Sequence, residues 1–174
     1  MSSRIPEELR MSRADLIQAT ESSRWAVEVA KMEEHVSGMD YRMRGTEGQI
    51  GGIEFTVHVD SESTEQSRVS SVRLRLIVPE GFPNSMPTVY PVDMRIPFNH
   101  SAHLYRDRPE NGGKTHLCMI REEEWTSDCT LAGMMVLSSL WVHKYLVWRN
   151  TGRWPGRGRP HCRQCGRIGG CEHI

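Results

Sequence analysis

Cys118 and the histidines near it are the residues of this chain best suited to covalent chemistry. A thiolate is a strong nucleophile and a good leaving group, so a positioned cysteine can take up an acyl group as a thioester and release it again. His116, two residues upstream, points the same way as Cys118 if the segment is extended. His103 can reach it from the preceding loop. Either imidazole could act as a base or donate a hydrogen bond to a tetrahedral oxyanion. The plainer reading is that Cys118 is a small buried hydrophobe between Leu117 and Met119.

A second cluster lies at the C-terminal end. Cys162, Cys165 and Cys171 fall within the last thirteen residues, and with His173 they supply four ligands suited to tetrahedral zinc. His161 is the alternative fourth ligand. Five cysteines do not pair into an even disulfide framework. Cys129 is expected to pack under Trp125, His143 to be a satisfied core histidine, and His58 and His100 to be strand or surface residues. From Arg149 onward six arginines face one acid, Glu172, which would suit a phosphate-bearing partner or simply make a solvated tail.

The elements that must position Cys118 can be read around it. A chain of 174 residues, 37% hydrophobic and 25% charged, is expected to form one domain with its own core. Its longest apolar run is too short to span a bilayer, and the first residues lack the apolar stretch of a secretory signal. A cytoplasmic location is therefore expected. The net charge of zero marks neither a membrane nor a nucleic acid as partner.

Trp25, Val29, Met32 and Val36 recur with helical spacing, predicting a helix from about Ser12 to His35. Three strand-like runs follow: Met39 to Arg44, Gly52 to Val59, and Val72 to Val78. Thr88 to Tyr90 adds a fourth, beyond the proline-punctuated segment Phe82 to Pro87. The stretch from Phe98 to Cys118 has no periodicity and carries a strong turn signal at Pro109 to Gly113. A second helix opens after Thr130, is apolar over more than half its circumference, and stops at Asn150-Thr151-Gly152. The class is α+β.

Phe82-Pro83 with Pro87, Cys118, Trp125 and Thr130-Leu131 follow one another in the order seen in ubiquitin-conjugating enzymes. The chain resembles a divergent bacterial form of that family, of the kind found in cyclic-oligonucleotide anti-phage (CBASS) operons. Thr151 to Gly156 followed by His161 is similar to a pattern in those relatives. The resemblance implies a UBC-like fold: an N-terminal helix, a four-stranded antiparallel meander, an active-site cysteine loop and a buried crossover helix. It implies an N-terminal tail over 1–12, the conjugating domain over 13–154, and a basic Cys/His-rich tail over 155–174. Two departures stand out. No His-Pro-Asn occurs, His103-Leu104-Tyr105 being the segment that most resembles the histidine segment of the bacterial relatives, and the family's two C-terminal helices are expected to be missing.

The function implied is an acyl transferase with Cys118 as nucleophile and His103, then His116, in support. It would carry a ubiquitin-like modifier, or a similarly tailed protein such as a CBASS nucleotidyltransferase, and pass it to an amine. An activating enzyme would be a partner, and transfer would need no cofactor. Two other readings stand beside it: a non-catalytic binding module of the same fold, and a cysteine hydrolase using Cys118, a histidine and an acid such as Asp107.

Overall fold

In a computed structural model the described residues are 9–10, 24–46, 49–59, 71–93, 96, 102–107 and 113–156. Helix α1 spans Arg24–Val36. Residues 11–23, where the sequence starts this helix, lie outside the described part. Of the expected stripe, Met32 and Val36 are buried, while Trp25 and Val29 are partly buried against the core.

Strands β1 (Asp40–Thr46), β2 (Gln49–His58), β3 (Ser71–Ile77) and β4 (Thr88–Pro91) follow. They form one antiparallel sheet in chain order, β1-β2-β3-β4. Period-two alternation sends Ile53, Phe55 and Val57 of β2 inward, opposite Leu76, Leu74 and Val72 of β3. These cross-strand pairs make the sheet side of the core. The outward face is polar, with Glu54 paired to both Arg44 and Arg75.

Helix α2 (Leu131–Thr151) completes the core with Leu131, Met134, Met135, Trp141, Val142 and Leu146. Thr130 caps it by accepting the Gly133 N–H at 3.0 Å. Gly152 ends it at φ 69°, the left-handed conformation that glycine adopts without a Cβ penalty. Both ends fall where the sequence puts them. The α+β class and the four-stranded meander are as expected, and the arrangement is compatible with a UBC-like fold. The expectation that the family's C-terminal helices are missing concerns 157–174, outside the described residues. Leu9 and Arg10, assigned to a tail by sequence, pack on the start of α2: Leu9 is buried, its carbonyl accepts from the Thr130 hydroxyl, and Arg10 pairs with Asp128.

One part differs from expectation. The segment before Cys118 is not wholly irregular, since β5 (Leu104–Arg106) and β6 (Thr115–Leu117) form an antiparallel hairpin. Three-residue strands are too short to leave a period-two signal, so the turn signal at Pro109 to Gly113 was the only trace of it in the sequence. Among the described residues no helix is long and apolar enough to cross a membrane.

Candidate active site

The hairpin register decides what surrounds Cys118. Leu104 pairs with Leu117 and Tyr105 with His116. The ladder extends one step further, the Cys118 N–H donating to the His103 carbonyl at 3.0 Å. The same carbonyl accepts the Trp141 indole N–H at 2.9 Å, so α2 fixes the backbone opposite the cysteine. On the far side of Cys118 the Ser138 hydroxyl of α2 lies 3.0 Å from the Met119 sulfur. Leu117, Cys118, Met119 and Ile120 are all buried. The long helix thus holds the residues on either side of Cys118, His103 across the ladder and Met119 next in the chain.

Residues after the cysteine bind the proline segment. The Trp125 indole N–H donates to the Pro83 carbonyl at 2.7 Å, and the Phe82–Pro83 peptide bond is cis. Phe82 lies between Trp25 of α1, stacked at 5.3 Å, and Trp125 at 6.3 Å. Phe82, Pro83 and Trp125, which the sequence singled out separately, therefore form one contact. Cys129 is fully buried, its sulfur 3.5 Å from the Thr126 N–H.

The Cys118 sulfur is hydrogen-bonded by the Tyr105 hydroxyl. Burial pushes the thiol up to about 11; the Tyr105 hydrogen bond works against that rise and the nearby Glu124 carboxylate adds to it. Burial also lifts Tyr105 far above the ordinary phenol value, as does its closeness to Cys118. Glu124 is paired with Arg121 at 2.5 Å.

His116 belongs to a second chain of contacts. Its Nδ1 lies 2.9 Å from Asp107 Oδ1, short in distance but out of line for a hydrogen bond. Asp107 also accepts the Tyr90 hydroxyl at 3.0 Å. Burial holds His116 below the ordinary imidazole value, although Asp107 pulls it upward. Its ring is flanked by Tyr90 at 5.7 Å and Tyr105 at 5.5 Å. Tyr90, buried against Asp107, is raised to about 12.

The structure thus brings Cys118, His116 and Asp107 into one neighbourhood, with Tyr105 touching both Cys118 and His116. His103 adjoins Cys118 through its backbone; its ring lies 4.7 Å from that of Trp154, and its φ is 48°. His143 bonds the Ser139 carbonyl at 2.8 Å and His58 is exposed on β2. The zinc ligands expected at Cys162, Cys165, Cys171 and His173, with the alternative His161, lie outside the described residues, as does His100. Sequence reasoning missed Tyr105 and Glu124 as neighbours of the cysteine, and Tyr90 as the partner of Asp107. Only the pairing across the Pro109 to Gly113 turn could have revealed Tyr105, because it sets position 105 against 116.

A family model described as "Type II CBASS E2 protein" matches residues 28–162. That stretch takes in most of α1, all of α2, the whole sheet and the cysteine. No curated protein and no solved structure matches the chain. The chain belongs to the type II CBASS E2 family.

Proposed function

We propose that this member of the family is an acyl carrier in anti-phage defence. Cys118 would take the C-terminal carboxyl group of a ubiquitin-like modifier, or of a similarly tailed protein such as a cyclic-oligonucleotide synthase, as a thioester, and pass it to an amine. An activating enzyme would supply the acyl group, and the exchange would take place in the cytoplasm. His103 and His116 would support transfer, His103 through the backbone carbonyl that fixes Cys118 and His116 through its place beside Tyr105.

The observation that carries the reading is the hydroxyl group on the Cys118 sulfur. A cysteine buried only to fill space needs apolar neighbours and no polar partner. Here a phenol faces the sulfur, and the Cys118 N–H is tied to the His103 carbonyl, which the Trp141 indole holds in turn. A thiol at about 11 leaves on the order of one thiolate in ten thousand at pH 7. The free protein is therefore chemically quiet, and docking of the donor would have to open the site or bring positive charge to it.

A cysteine hydrolase would need its histidine on the sulfur. Asp107 and His116 are adjacent, while the hydroxyl of Tyr105 faces the Cys118 sulfur, which favours the carrier.

The test is charging with the cognate activating enzyme, ATP and modifier. A reductant-sensitive adduct is expected, lost in Cys118→Ala and converted to a reductant-resistant oxyester in Cys118→Ser. An adduct that survives in Cys118→Ala would overturn the assignment.

A further inference from the structure

We infer that Tyr105 is a catalytic residue of the thioester step, its hydroxyl donating a hydrogen bond to the negative charge that forms at the Cys118 acyl centre. The inference rests on the thioester reading above. It starts from geometry: β5 and β6 pair so that Tyr105 stands opposite His116, two residues before Cys118, and its hydroxyl reaches the sulfur.

When an amine attacks the thioester carbonyl carbon, a C–N bond forms and the carbonyl π pair moves to oxygen. As that pair returns, the C–S bond breaks and its electrons leave on the Cys118 sulfur. The extra proton on nitrogen passes to water. Negative charge therefore appears first on oxygen and then on sulfur, at neighbouring atoms, and a donor beside the sulfur serves both. Tyr105 keeps its own proton throughout. Burial holds its hydroxyl far above the ordinary phenol value, so it remains a donor across the working pH range.

The surroundings explain why the donor is this residue. Burial holds His116 below the ordinary imidazole value and its Nδ1 faces Asp107, while its ring lies 5.5 Å from that of Tyr105. Tyr90, Asp107 and His116 thus pack behind the phenol, with the His116 ring in contact with both tyrosines. Arg121, Glu123 and Glu124 are the charged groups near Tyr105 and Cys118. Arg121 pairs with both acids, which limits the negative field at the sulfur.

Tyr105→Phe removes the hydroxyl and keeps the ring against His116. In single-turnover discharge of the charged protein onto free lysine or hydroxylamine, the variant should be about 10²-fold slower than wild type. Discharge within threefold of wild type would overturn the inference. If wild-type protein never charges, the thioester reading has failed instead, and a second readout still decides this one. Iodoacetamide alkylation of the uncharged protein follows the Cys118 thiolate, with Cys118→Ala giving the background. Loss of the hydrogen bond should move that pH profile upward, and an unmoved profile would show that the hydroxyl does not act on the sulfur. A difluorotyrosine placed at position 105 keeps both ring and hydroxyl, and it should discharge far faster than the Phe variant. Equally slow discharge would mean that packing, and not hydrogen bonding, accounts for the loss.

Discussion

Glu28 joins the two helices, and removing it should cost more than any other single polar side chain in the core. Its carboxylate is fully buried, accepts the Leu131 N–H at 2.8 Å, and accepts the Arg24 Nε at 2.9 Å. It thereby satisfies one of the orphan donors at the start of α2 and places negative charge at the positive end of that helix. Arg24 is tied in turn to the Ser127 and Cys129 carbonyls, at 2.8 Å each. Glu28→Ala would leave the Arg24 charge, only 15% exposed, without its counter-ion, and the Leu131 N–H without an acceptor. Breaking a buried pair from one side costs about 3–5 kcal/mol. For 174 residues each kcal/mol moves Tm by about 2–4 °C, so a fall of about 6–20 °C is expected. Arg24→Met combined with Glu28→Leu removes the stranded charge together with the pair. That double change should cost less than the sum of its single changes, by about 1–3 kcal/mol. Thermal and urea unfolding of the set decides the matter. A Glu28→Ala loss below about 1 kcal/mol, or a double loss equal to the sum, would refute the argument.

The pH dependence gives this prediction a sign. Burial raises the Glu28 carboxyl above its ordinary value, with Arg24 and the Leu131 N–H pulling the other way. The native state therefore holds this proton more tightly than the unfolded chain does. The resulting stabilisation is complete below the ordinary carboxylate value of 4.5 and is lost as pH rises through the folded value. Glu28→Gln cannot titrate, so its penalty relative to wild type should be largest at acid pH and narrow as pH rises. A penalty that widens instead would mean that Arg24 and the helix end outweigh burial.

Three other outcomes are expected. Alkylation of Cys118 in the free protein should be slow at pH 7 and climb steeply toward about pH 11, because burial holds the thiol protonated; a plateau already reached at pH 8 would contradict this. Lys114 is exposed, pairs through its backbone with Asp107, and lies four residues before Cys118, so it should be the main site of self-conjugation in the charged protein; mass mapping that finds adducts chiefly on Lys31 or Lys144 would count against this geometry. Protein purified without chelator should carry one zinc per chain on Cys162, Cys165, Cys171 and His173 or His161, and metal analysis near zero would mean the cysteines are free.

The parts of the fold that could be read from sequence are those with long repeats. Seven or more residues of alternation marked β2 and β3, and the Thr130 cap and Gly152 stop marked α2 almost to the residue. Glu28 could not be found this way. An acid in an amphipathic helix normally reads as surface, as Glu33 and Glu34 of the same helix do, and the burial of Glu28 depends on α2 beginning directly beside it. Contacts of that kind are set by tertiary packing, to which local periodicity is blind.

The same limit explains why Cys118 could be picked out while its partner could not. The cysteine stands between strong landmarks, the proline segment before it and Trp125 after it, and these prove to be joined through the Pro83 carbonyl. The search for support then settled on histidines, because imidazole is the usual base for a cysteine. The hairpin alters that choice. Its three-residue strands put Tyr105 across from His116, and the carbonyl of His103, held by the Trp141 indole, ties down the Cys118 backbone. The His103 carbonyl thus meets the Cys118 backbone and the His116 ring meets that of Tyr105, while the hydroxyl that reaches the sulfur belongs to the tyrosine beside them. Shifting the hairpin by one residue would turn Tyr105 to the opposite face and leave the sulfur without that donor. Register therefore matters to this site as much as residue type does.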